Sequence, residues 1–116
     1  MIRATEASDA TSQLRKGVVE FAVLALLESE PMYGWQLSQH LIGRGQFIAS
    51  IGTLYPVIAR LKSKGWVAPH LPSGAGETVR RYYKITSSGR ERLAQFRIQW
   101  DSFSRSLDDL LETKVT

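Results

Sequence analysis

Ile51-Gly-Thr-Leu-Tyr-Pro-Val-Ile-Ala-Arg-Leu-Lys-Ser-Lys-Gly-Trp-Val67, followed after a polar, Gly-rich break by Arg80-Arg-Tyr-Tyr-Lys-Ile-Thr86, is the stretch that decides the fold. Leu54, Val57, Ile58 and Leu61 recur at i, i+3, i+4 and i+7, the spacing of one buried helical stripe. The spacing predicts a helix over Ile51–Lys64, with Ser50 as its N-cap. Pro56 falls early in that helix, where N–H groups lack intrahelical partners and proline is tolerated. Gly52, Thr53, Tyr55, Pro56, Ala59, Arg60 and Ser63 are left on or near the open side. After Gly65, Trp66–Leu71 and Val79–Ile85 read as two strands joined by the flexible linker Pro72–Thr78. Alternation puts Val79, Arg81, Tyr83 and Ile85 on one face of the second strand, with Tyr83 and Ile85 closing the core. Pro69 suits an edge strand.

Upstream, Leu14–Glu28 carries Val18, Val19, Phe21, Ala22, Val23, Leu24, Ala25, Leu26 and Leu27. A helix apolar nearly all round is buried on several sides. Pro31 ends it and biases Glu30 away from helical angles. Tyr33–Ile42 predicts a second, shorter helix with Leu37 and Leu41 turned inward, and Gly43-Arg44-Gly45 stops it. Residues 1–13 are polar and mixed in charge, with no apolar core for a signal peptide, and read as a flexible N-terminal extension.

Downstream, Thr86 caps a last helix that runs to about Thr113. Leu93, Phe96, Trp100, Phe103, Leu107 and Leu110 follow one another at spacings of 3, 4, 3, 4 and 3, an unbroken heptad seam. At 1.5 Å per residue this helix is roughly 40 Å long, longer than the body of a small domain. Its far half has nothing of its own chain to lie on, and each exposed seam residue forgoes burial worth roughly 1.5–3 kcal/mol. A second copy of the chain is the simplest cover, so the seam predicts a homodimer.

The 116 residues amount to one domain with a single core. There are no cysteines, which excludes disulfides and thiolate metal sites and fits a cytoplasmic location. No apolar run reaches the length of a membrane span. The net charge of +4 is unevenly spread: residues 60–92 hold eight Lys/Arg against two acids, while the segment on either side sums to −1. A basic block of this kind either meets phosphates or is a solvated face. A helix with a polar open face followed by a basic hairpin is the arrangement of a helix that enters a DNA groove beside a wing that grips the backbone.

Tyr33, Ser50, Thr53, Tyr55, Arg60, Lys64, Arg80 and Arg81 form the expected DNA-facing set. A tyrosine hydroxyl suits phosphate or base-edge bonding, and paired arginines suit phosphates or a narrow minor groove. Leu93, Phe96, Trp100, Phe103, Leu107 and Leu110 form the expected dimer seam. Trp100 is either plain seam packing or, facing its own copy, one wall of a flat slot for an aromatic ligand. His40 and His70 stand without a nucleophile or carboxylate at a telling spacing. No phosphate-binding glycine motif or metal-ligand cluster is present, so no enzyme, cofactor or metal is expected.

Leu14-Arg-Lys-Gly17, Pro31-Met-Tyr-Gly-Trp-Gln-Leu37, Gly52-Thr-Leu-Tyr-Pro56 with Leu61 and Gly65, and Arg80-Arg-Tyr-Tyr-Lys-Ile-Thr86 together resemble the PadR-type transcriptional regulators over about residues 14–112. The resemblance implies a mainly helical α+β fold: a winged helix-turn-helix domain over residues 14–85 and a long C-terminal dimerisation helix over 86–116. It further implies a homodimeric repressor on a pseudo-palindromic double-stranded DNA operator. The single C-terminal helix is similar to the shorter subfamily. One member of that subfamily stacks flat drugs between paired tryptophans, and Trp100 falls at the matching place in the helix, so the resemblance implies a small aromatic effector (a phenolic acid or a drug-like molecule). The alternative is a winged-helix protein-interaction module that does not bind DNA.

Overall fold

The computed structural model describes residues 4–44, 46–71 and 81–112, with side chains in the first helix from Gln13 onward. The chain runs α1 (Ala4–Ser29), β1 (Met32–Tyr33), α2 (Gly34–Gly43), a 3-10 turn (Ile51–Thr53), α3 (Leu54–Ser63), β2 (Val67–His70), β3 (Tyr82–Ile85) and α4 (Ser87–Glu112). The fold is α+β and mainly helical. No helix among the described residues is long and apolar enough to cross a membrane.

One core holds these elements together. Val19, Val23, Leu24 and Leu27 of α1 pack with Leu37 and Leu41 of α2 and with the α3 stripe Leu54, Val57, Ile58 and Leu61. Val67, Tyr83 and Ile85 close it from the sheet, as the strand alternation requires. Thr53, Tyr55, Pro56, Ala59, Arg60 and Ser63 are all exposed on the opposite side of that helix. The stripe therefore fixes which face of α3 is free.

α3 ends in a Schellman motif. Gly65 takes φ +77°, the Trp66 N–H donates to the Leu61 carbonyl at 3.0 Å, and the Gly65 N–H donates to the Lys62 carbonyl at 3.0 Å. Thr86 ties this turn to the start of α4. Its hydroxyl donates to the Gly65 carbonyl (2.6 Å) and accepts the Gly89 N–H (3.0 Å), while its own N–H donates to the Trp66 carbonyl (3.0 Å). Thr86 is thus the N-cap of α4.

Several expectations are corrected. The residues read as a flexible extension, 1–13, are helical from Ala4 on, as the first turns of α1. The wing is not a lone hairpin: β3 is the middle of a three-stranded antiparallel sheet ordered β1-β3-β2, with Met32 opposite Tyr83 and Tyr33 opposite Tyr82. A strand of two residues has no alternation to read. Pro69 does lie on an edge strand, β2. Ser50 makes no side-chain cap, and its carbonyl instead accepts the Thr53 N–H (3.1 Å) and hydroxyl (2.7 Å). The helix accordingly opens as a 3-10 turn, since Pro56 offers no N–H to the Gly52 carbonyl. Leu93 is only 2% exposed within its own chain, in the core rather than on an intermolecular seam. The linker Pro72–Thr78, Val79, Arg80 and Thr113 lie outside the described residues.

Candidate nucleic-acid interface

The free face of α3 has a crest and two flanks. At about 100° per residue, Gly52, Pro56, Ala59 and Ser63 stand opposite the buried stripe. All four are small, so the helix backbone can approach a groove floor closely. Thr53, Arg60 and Lys64 run along the flank toward α1, and Tyr55 stands on the flank toward α2.

On the α1 flank, one carboxylate holds two cations. Arg60 Nε lies 3.1 Å from Glu20 Oε1, and Lys64 Nζ lies 2.9 Å from Glu20 Oε2. The Glu20 side chain is 16% exposed, against 51% for Arg60 and 44% for Lys64. Burial works to raise the Glu20 pKa, but hydrogen bonds from Lys64 and Arg60 and the charges of both outweigh it, and the carboxyl falls below its ordinary range. Arg15 and Lys16 of α1 line a groove with Thr53, Pro56 and Arg60. Arg15 also donates to the carbonyl of Gln46 at 3.2 Å, where the backbone takes a left-handed φ of 52°. Neither cation belonged to the expected set, because nothing in the spacing of α1 says which element its polar face meets.

On the other flank, Tyr55 lies over Gly34, where a Cβ would stand 3.2 Å from the Tyr55 hydroxyl. Tyr33, just before α2, gives its N–H to Gln36 Oε1 at 3.0 Å. Its ring stacks on Trp35 (6.3 Å, 18°) and meets Tyr82 edge-on (5.3 Å, 61°). Arg81 is exposed and shares a cleft with Tyr33, Trp35 and Tyr55. The structure therefore brings Tyr33, Tyr55 and Arg81 together on one side of α3, and Thr53, Arg60 and Lys64 together on the other. Trp35, exposed beside them, was missed, although its place next to Tyr33-Gly34 was a signal.

A second surface lies between α1 and α4. Phe96 stacks face to face on Phe21 of its own chain (3.9 Å, 6°), so this seam position is already partnered. Trp100 continues the stack from Phe96 (5.9 Å, 20°) and Phe103 from Trp100 (6.3 Å, 38°). Leu14, Val18 and Phe21 form the α1 wall of this aromatic groove, with Arg92 at its edge over the Phe21 ring (5.2 Å). Trp100 (46%), Phe103 (62%), Leu107 (43%) and Leu110 (73%) are exposed on one stripe.

Helices α2 and α3 packed on α1, followed by a β-wing, define a winged helix-turn-helix protein. Residues 23–95 match the transcriptional regulator PadR-like family, and the chain belongs to it. Members of this family are DNA-binding regulators of transcription and not enzymes. A PadR-like transcriptional regulator of Bacillus cereus is similar, at 31% identity and a TM-score of 0.79, over 88% of this chain and 99% of that one. A PadR family transcriptional regulator of Eggerthella lenta is 34% identical, with a TM-score of 0.78, over 93% and 94%. Bacillus subtilis PadR, solved in complex with operator DNA, shares the fold at 24% identity and a TM-score of 0.59, over 70% of this chain and 47% of that one.

Proposed function

We propose that this PadR-like regulator is a homodimeric repressor that presents α3 to the major groove of a pseudo-palindromic operator. Gly52, Pro56, Ala59 and Ser63 let α3 approach closely. Tyr33, Ser50, Thr53 and Tyr55 reach phosphates or base edges, and Arg80 and Arg81 anchor the wing. Thr53 donates its proton to Ser50, so toward DNA it acts as an acceptor. Arg60 and Lys64 reach phosphate only by leaving Glu20. The fold shared with an operator-bound PadR supports this reading.

The apolar stripe of α4 beyond Phe96 is the surface that pairs two copies, which would set the two heads about 34–36 Å apart, one turn of DNA. A small aromatic ligand enters between α1 and α4 against Phe96, Trp100 and Phe103, and releases DNA by changing the angle between the heads. The observation that carries the whole reading is the free, stripe-opposed face of α3 flanked by Tyr55 and Arg60. Its test is fluorescence anisotropy of a labelled duplex across a salt series, with sedimentation of the free protein. A DNA-binding dimer loses affinity steeply with salt, whereas a protein-interaction module leaves the duplex free at every concentration.

A further inference from the structure

We propose that Glu20 is a specificity-setting residue: a built-in competitor for phosphate that keeps Arg60 and Lys64 out of non-specific DNA binding. The inference rests on the DNA-binding reading of α3 and adds to it a residue that faces the protein rather than the DNA.

Both cations that α3 offers along its α1 flank converge on this one carboxylate, at 3.1 and 2.9 Å. Glu20 is the least exposed partner of the three and stands on α1, whose neighbours Val19, Val23 and Leu24 are in the core. The anion is thus anchored and the cations are the mobile partners. A further contact limits the reach of Lys64: its ammonium also lies over the Trp66 ring at 4.8 Å. A carboxylate ionised throughout the neutral range keeps its hold at every working pH. Phosphates of a random duplex must displace Glu20 to recruit either cation. A cognate site, held in register by the α3 crest and the wing, makes that exchange at fixed geometry. Glu20 therefore lowers non-specific affinity more than specific affinity, which raises the ratio between them.

The test uses the full chain, a random-sequence duplex, and a duplex selected by the parent protein from a random pool. Glu20→Gln should bind the random duplex about tenfold more tightly at 0.1 M salt, with a log–log salt slope steeper by about 1–2 per protomer, since each recruited phosphate adds roughly 0.9. Its preference for the selected duplex should fall. Glu112→Gln, at the far end of α4, changes net charge equally and should leave the random-duplex slope at the parent value. Glu20→Gln combined with Arg60→Gln and Lys64→Gln should lose the gain. An unchanged slope in Glu20→Gln overturns the proposal. If Glu20→Gln does not fold by circular dichroism, Lys64→Gln in the parent decides the matter. A cation already withheld by Glu20 leaves the random-duplex slope unchanged when removed, and a slope shallower by about 0.9 overturns the proposal. A parent that binds neither duplex overturns the DNA reading itself, a result distinct from a binding parent with an unresponsive Glu20.

Discussion

Arg97 holds Glu28 with both guanidinium prongs, Nη1 at 2.9 Å from Oε2 and Nη2 at 2.7 Å from Oε1. Glu28 is one residue short of the end of α1, and Arg97 lies on α4 just past the residues that pack in the core. Arg90 adds a bond from the same helix to the Glu28 carbonyl at 3.4 Å. The end of the head is therefore clamped to the helix that carries Trp100 and the free stripe. A change in the angle of α4 has to work against this clamp.

The clamp has a pH signature. Arg97 depresses the Glu28 pKa below its ordinary value of 4.5, chiefly through the hydrogen bond and also through its charge. A depressed carboxylate contributes stability above its unfolded pKa and loses it as pH falls through the lower, folded value. Thermal unfolding should show this contribution intact at pH 6–7 and lost below about pH 4.5. Glu28→Gln should flatten that acid limb and shift the neutral Tm only slightly, since an exposed pair is worth little. An acid limb equally steep in Glu28→Gln would remove the pair from the pH response.

Gly89 admits no side chain. A Cβ there would overlap the Trp66 carbonyl oxygen, with Ile85 Cγ1 at 2.7 Å, and the carbonyl is fixed by the Thr86 N–H. Gly89→Ala should destabilise the fold by about 1–3 kcal/mol, the usual range for overpacking. Urea unfolding should show a lower midpoint at an unchanged slope.

Arg81 is exposed just before β3, beside Tyr33 and Tyr55. Arg81→Ala should weaken binding to operator and random duplex by a similar factor. The log–log salt slope should become shallower by about 0.9 for each phosphate that is no longer neutralised. A slope equal to that of the parent would place Arg81 outside the interface.

Leu107 is 43% exposed in the single chain, so Leu107→Asp spares the folded head. In a dimer the same charge would be buried without a partner, which is costly enough to part the helices. Sedimentation should show a monomer. Affinity for a two-half-site duplex should fall by at least about 10²-fold, as expected when two linked heads are reduced to one. A dimeric Leu107→Asp that binds normally would move the dimer interface away from α4.

Repetition along the chain was enough to establish α3, its buried stripe and its exposed face, and the apolar stripe that runs along α4. Both patterns are local, and a helix turns the same side chains inward whatever it meets. Thr86 as the cap of α4 and Tyr83 with Ile85 in the core were legible because they too depend on local sequence.

What covers each stripe was decided only by the tertiary structure. The 3-4 spacing is the same at Leu93 and Leu110, yet Leu93 is in the core of its own chain and Leu110 is exposed. β1 forms because Met32 and Tyr33 meet β3, a pairing across about fifty residues that no local alternation announces. Glu20 stands forty residues from Arg60 and was one more polar position on an apolar helix until packing set it beside α3. Periodicity determines which way a side chain faces relative to its own element, whereas the neighbour it faces depends on where the rest of the chain has folded.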